Sequence, residues 1–97
     1  MRVEWDPEKD RANRIRHGLS FDDIRELFEG DADYLVIYDE EHSDDEDRFL
    51  AIGPIPKGVV IVAHTEPSEA VIRIISARMA TRVEQALFYK HAGGHKR

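Results

Sequence analysis

The sequence predicts an α+β domain: two N-terminal helices and one C-terminal helix packed on a small antiparallel sheet of four to five strands. Three observations predict it. Capped, 3.6-periodic segments lie at both ends of the chain. Between them, apolar runs rich in β-branched residues recur between turn signals. The connections between those runs are too short for parallel crossovers, which favours a meander.

The elements follow in order. Met1 to Trp5 reads as an added edge strand. Asp6-Pro7 starts a helix, with Asp as N-cap and Pro where its missing N–H costs nothing. Gly18 supplies the left-handed residue that ends it after His17. Ser20 caps a second helix, with Asp23 at its third position, Leu19 and Ile24 as a staple, and Ile24, Leu27 and Phe28 as its buried stripe. Gly30 closes it. Tyr34–Tyr38 reads as a strand, 39–47 as an acidic loop and Arg48–Ile52 as a second strand. Gly53 to Gly58 reads as a turn, because two prolines forbid a ladder there. Val59–His64 is nearly all apolar and so central. Glu66-Pro67-Ser68 turns the chain into Ala70–Ser76. Thr81 and Glu84 form a capping box for the last helix, with Val83, Leu87 and Phe88 or Lys90 marking its faces and Gly93-Gly94 stopping it. Residues 1–92 are then one domain and 93–97 a flexible tail.

The 97 residues contain no cysteine, which excludes disulfides, thiolate metal sites and a cysteine nucleophile. No apolar run approaches a membrane span, and Met1-Arg2-Val3-Glu4 does not read as a signal peptide, so the expected location is cytoplasmic. The formal charge is −6 with a pI of about 5.3, against indiscriminate binding of nucleic acid. The charge is unevenly spread: −2 over residues 1–30, −8 over 31–56 and +4 over 57–97. A local basic site therefore remains open.

No glycine-rich phosphate loop or serine elbow is present. His91 and His95 stand four apart, but Gly93-Gly94 between them argues against a metal site, so no metal or other cofactor is expected. Basic groups at element ends remain. Arg73 and Arg78 both suit phosphate. Simple strand alternation points them to opposite faces, and a bulge or helix start near Ser76 would bring them together. Arg73 could equally pair with an acidic-loop carboxylate. Glu46 beside Arg48 could serve as base beside charge stabiliser, or as a solvated ion pair. His17, ending the first helix, and His64, ending the central strand, could each move a proton or merely cap and pack. Lys9, Arg16 and Lys57 read most simply as surface charges, and the acidic loop as solubilising.

Trp5-Asp6-Pro7-Glu8-Lys9, Asn13 and Arg16-His17-Gly18-Leu19-Ser20-Phe21 together resemble the opening block of the BrnT family of toxins. Glu46 to Gly53 resembles its second block. Arg73 to Arg78, followed by Ala80-Thr81-Arg82 and Glu84, resembles its third. The resemblance spans about residues 3–89. It implies a RelE-like fold and the toxin half of a bacterial type II toxin–antitoxin pair. The implied activity is RNA cleavage that arrests translation and growth. The implied partner is a BrnA-type antitoxin, two with two toxins, which carries the DNA contact. The residues it implies are Lys9, His17, Glu46, Arg48, Arg73 and Arg78.

With no metal ligands in view, the simplest chemistry is attack of a 2′-hydroxyl on its own phosphate. Arg48, Arg73 and Arg78 then stabilise charge, Glu46 or His17 is the base, and His17 or His64 the acid. Lys9 and His64 are the expected substrate contacts. Two positions depart from the family pattern. Arg16 replaces the usual Lys, and Pro67 stands where the family often has Arg. The second departure keeps open an alternative, a catalytically degenerate module that titrates the antitoxin and tunes its operon.

Overall fold

The computed structural model describes residues 1–95. The elements are β1 (Arg2–Trp5), α1 (Pro7–His17), α2 (Phe21–Glu29), β2 (Leu35–Tyr38), β3 (Arg48–Ile55), β4 (Gly58–Ser68), β5 (Val71–Met79) and α3 (Arg82–His95). A single 3₁₀ turn, Glu40–His42, interrupts the acidic loop. The sheet order is β1-β5-β4-β3-β2. Strands β2 to β5 form the expected antiparallel meander, but β1 lies parallel to β5, so the sheet is mixed. Among the described residues no helix is long and apolar enough to cross a membrane.

The helix ends form as their local chemistry dictates. The Asp6 carboxylate accepts the Glu8 N–H at 2.9 Å, and Gly18 closes α1 at φ 71°. The Ser20 hydroxyl accepts the Asp23 N–H at 3.1 Å. Thr81 and Glu84 exchange the two bonds of a capping box, at 2.8 and 3.2 Å. α1 and α2 lock together where Phe21 N–H donates to the Asp10 carboxylate at 2.8 Å.

The two sheet faces carry different cores. Ala51, Val60, Val62, Ile72, Ile74 and Ala77 meet Leu19, Phe21, Ile24, Leu27 and Phe28 under α1 and α2. Ile52, Val59 and Ile61 meet Phe88 under α3. Gly53 is the point of closest approach: a Cβ there would lie 2.7 Å from Leu27 Cδ1 and from Tyr34 Cβ.

Several boundaries differ from expectation, each for a visible reason. β3 runs on through Pro54 to Ile55, and the hairpin turn is only Pro56-Lys57. Ile55 and Gly58 close that turn, so the Pro54 nitrogen faces past the start of β2, where no ladder bond is lost. β4 likewise continues through Pro67 to Ser68, beyond the last residue paired with β3 and inside a register irregularity with β5. The turn into β5 is Glu69-Ala70, with Ala70 at φ 63°. Gly93-Gly94 does not end α3, which reaches His95; Lys96 and Arg97 of the expected tail lie outside the described residues. Of the faces expected on α3, Phe88 is buried, whereas Val83 and Leu87 are exposed.

Candidate functional site

β5 holds the feature that builds the site. Ser76 pairs with Ala63 and Ile74 with His64, which leaves Ile75 as an extra residue in a bulge. The bulge resets the alternation. Ile72 and Ile74 point into the α1–α2 core before it, and Ala77 does so after it. Arg78 therefore emerges on the same sheet face as Arg73, and simple alternation is overridden.

The bulge is anchored from α1. Beyond Ile74, β1 no longer covers the edge of β5. The buried Asn13 takes its place: its amide oxygen accepts the Ala77 N–H at 2.9 Å, and its amide nitrogen donates to Leu19 C=O at 2.9 Å. One side chain thus fixes the α1–α2 corner against the bulge, and α1 lays Lys9 and Arg16 alongside it.

Three hollows meet there. The first, of about 360 Å³, is lined by Arg16, His17, Leu50, Ser76, Arg78 and Glu84, among others. The second lies between α1 and β5, with Lys9, Asn13, Arg16, Ile75 and Ser76. The third lies under the acidic loop, with Glu46, Arg48, Thr65 and Ile75, and with Glu41, Asp44 and Asp45 on its rim. The first and second share Arg16 and Ser76, and the second and third share Ile75. Lys9, His17, Glu46, Arg48 and Arg78 thus border a row of adjacent hollows, together the concavity around the bulge.

The charges around it are not equivalent. Both Arg78 terminal nitrogens donate to Glu84, each at 2.8 Å, a bidentate pair. Arg78 holds the Glu84 carboxyl down to about 2, and Glu84 in turn keeps the guanidinium charged. Of the basic residues up to position 80, Arg2, Arg11, Arg14, Arg25, Lys57, Arg73 and Arg78 each meet a carboxylate. Lys9, Arg16 and Arg48 do not, and all three line the hollows. Unpaired cations concentrated in one concavity leave their donors available to an anion.

Two expected site residues lie elsewhere. Arg73 is drawn back toward β1, where it donates to Glu4 at 2.8 Å; it lines none of these hollows, and its partner is on β1, not in the acidic loop. His64 is corrected outright. It is 1% exposed, on the opposite sheet face, stacked on Phe49 and edge-on to Phe28. Neither ring nitrogen has a hydrogen-bond partner, and burial pushes the imidazole down to about 4. A histidine sealed there cannot touch a substrate.

The profile of the BrnT family, described as the ribonuclease toxin BrnT of type II toxin–antitoxin systems, matches residues 5–84. The chain belongs to the BrnT family. Its fold is similar to that of the Brucella abortus ribonuclease toxin BrnT, with 25% identity and a TM-score of 0.62 over 84% of this chain and 99% of that one. No curated protein matches the chain. A BrnT chain is by class a ribonuclease toxin, and the type II class implies an antitoxin partner.

Sequence reasoning passed over four residues of this BrnT concavity. Arg16 reads as a surface charge until α1 is laid against β5. Ser76 and Thr65 carry no motif; Thr65 Oγ1 is buried without a partner at the Arg48 end. Asn13 was legible only as part of the family block. Among the described residues no three His, Asp or Glu side chains converge as a metal site.

Proposed function

We propose that this concavity is the RNA-cleaving centre of the toxin. The observation that supports it most is the gathering of Lys9, Arg16 and Arg48, the uncompensated cations among residues 1–80, around the β5 bulge beside His17 and Arg78. In an acidic chain that placement is informative, because these three cations are left without carboxylate partners at the groove.

The chemistry needs no metal. A ribose 2′-hydroxyl gives its proton to a base and its oxygen attacks the adjacent phosphorus. The P–O5′ bond then breaks, and an acid protonates the leaving oxygen, giving a 2′,3′-cyclic phosphate and a 5′-hydroxyl. His17 lies in the hollow with Arg78 and takes one proton-transfer role; Glu46, beside Arg48, is the candidate for the other. Arg78, held rigid by Glu84, stabilises the extra phosphorane charge with Arg48. Lys9 and Arg16 hold flanking phosphates along α1. Arg73 is assigned to the β1–β5 pairing through Glu4, outside the chemistry.

A BrnA-type antitoxin, in a complex of two toxins with two antitoxins that contacts DNA only through the antitoxin, is the partner we infer, with the cytoplasm as the place of action. Pro67, where the family often has Arg, lines none of the three hollows, which favours an active enzyme over a degenerate titrating module.

The deciding experiment expresses wild type, Arg78→Lys, Arg78→Ala and Arg16→Ala in bacteria lacking the antitoxin, and follows growth and total RNA. Wild type should arrest growth with RNA decay. The purified protein should cut single-stranded RNA in excess chelator. Arg78→Ala should lose about 10²-fold or more in cleavage. Wild-type decay by a folded Arg78→Ala protein removes that residue from the centre, and a folded but inert wild type restores the degenerate reading.

A further inference from the structure

The sheet has a free edge at β2. β2 pairs with β3 on one side only and is the last strand in the order. Asp39 N–H donates to Arg48 C=O at 2.9 Å, which fixes the phase of the ladder. In an antiparallel pair, alternate residues bond inward, so Asp39, Ile37 and Leu35 face β3, while the N–H and C=O of Val36 and Tyr38 face out. Val36, Ile37 and Tyr38 are also 45%, 36% and 50% exposed. Exposed apolar side chains next to unused backbone groups are what an added strand would cover.

The charges around this edge say what covers it. Residues 31–47 contain nine carboxylates and no Lys or Arg, although the whole chain has twenty acidic groups. They bracket the strand, with Asp31 and Asp33 before it and the run from Asp39 after it. A second copy laid on β2 would bring one such set against another, so the edge repels its own kind. A strand bearing Lys or Arg between apolar residues would instead satisfy the backbone, cover Val36 and Tyr38, and neutralise the bracket.

We infer that the β2 edge is the docking strand for the antitoxin, which adds an extended, basic and apolar segment as a sixth strand. This rests on the antitoxin partner proposed above. β2 is three strands from β5, and its acidic loop also rims the Arg48 hollow, so a segment continuing from β2 over that loop reaches the RNA groove from the side opposite α1.

Residue-resolved amide hydrogen exchange on the intact toxin, alone and saturated with its antitoxin, tests this. Val36 and Tyr38 amides should exchange freely in the toxin alone and slow by about 100-fold in the complex, while Leu35 and Ile37, already bonded to β3, change far less. Val36→Pro removes an outward donor without touching the β3 ladder. It should weaken the complex by at least about tenfold while RNA cleavage and thermal unfolding stay as in wild type. Should that variant unfold, Asp31→Asn with Glu40→Gln serves in its place: affinity should fall and its salt dependence become shallower. A complex that leaves Val36 and Tyr38 unprotected overturns the inference while the antitoxin partnership stands. Protection that grows with the concentration of toxin alone makes a second copy the occupant and overturns it too. Absence of any complex removes the partnership itself, and the docking strand with it.

Discussion

His64 and Glu84 show how opposite environments move two titrating groups, and each yields a pH dependence. The folded chain keeps His64 neutral down to about 4, whereas the unfolded chain takes up its proton near 6.5. Between those values the unfolded state binds the extra proton, so stability rises with pH across the window. The difference amounts to about 3 kcal/mol. Urea unfolding at successive pH values should show wild type losing that much between pH 7 and 4, beyond any loss in His64→Phe. Glu84 works lower. Its carboxyl is held at about 2 against a usual 4.5, so its contribution is full above 4.5 and is lost as pH falls through 2. Because Arg78 is 42% exposed, solvent reduces that contribution to about 1 kcal/mol. The two residues also mark what sequence can show. The Thr81–Glu84 box is local and legible. That Arg78 would reach Glu84 six positions on, or that His64 would face the core and not the groove, depends on which sheet face each occupies, and a bulge sets that for Arg78.

At the level of elements, caps and staples were readable because each acts within four residues. Both prolines misled for one reason: a lost ladder bond matters only where a neighbouring strand is present, and Pro54 and Pro67 sit beyond the ends of their neighbours. The parallel β1–β5 pairing was invisible, since nothing near Arg2–Trp5 names a partner about 70 residues away. Two substitutions probe the joints. Asn13→Ala leaves the buried Ala77 N–H and Leu19 C=O without partners. It should cost about 2–4 kcal/mol in chemical denaturation and lower RNA cleavage by shifting Arg16 and His17 from the bulge. Gly53→Ala drives a methyl into Leu27 and Tyr34 and should cost about 1–3 kcal/mol without altering the residual enzyme's KM.

Over the whole molecule, charge is sorted in space and not merely in sequence. The acidic run rims the same concavity that gathers the unpaired cations, so an RNA bound as proposed would reach Arg48 past Asp44 and Asp45. Replacing both with Asn should lower KM for a short RNA severalfold at about 0.02 M salt and leave kcat unchanged. The advantage should disappear by about 0.5 M, where screening shortens to a few ångströms. Steady-state cleavage at the two salt concentrations reads this directly.

The parallel pairing of β1 with β5 carries a consequence for how the toxin comes into being. The sheet's first strand has no neighbour until the last strand exists, and Asn13 cannot set the position of α1 until Ala77 has been made. Contacts of that separation form late and slowly. A chain still growing on the ribosome therefore holds Lys9, Arg16 and His17 with nothing to hold them beside Arg78. That arrangement can assemble only when synthesis is nearly finished, so a chain cut short before Ala77 would lack the proposed groove.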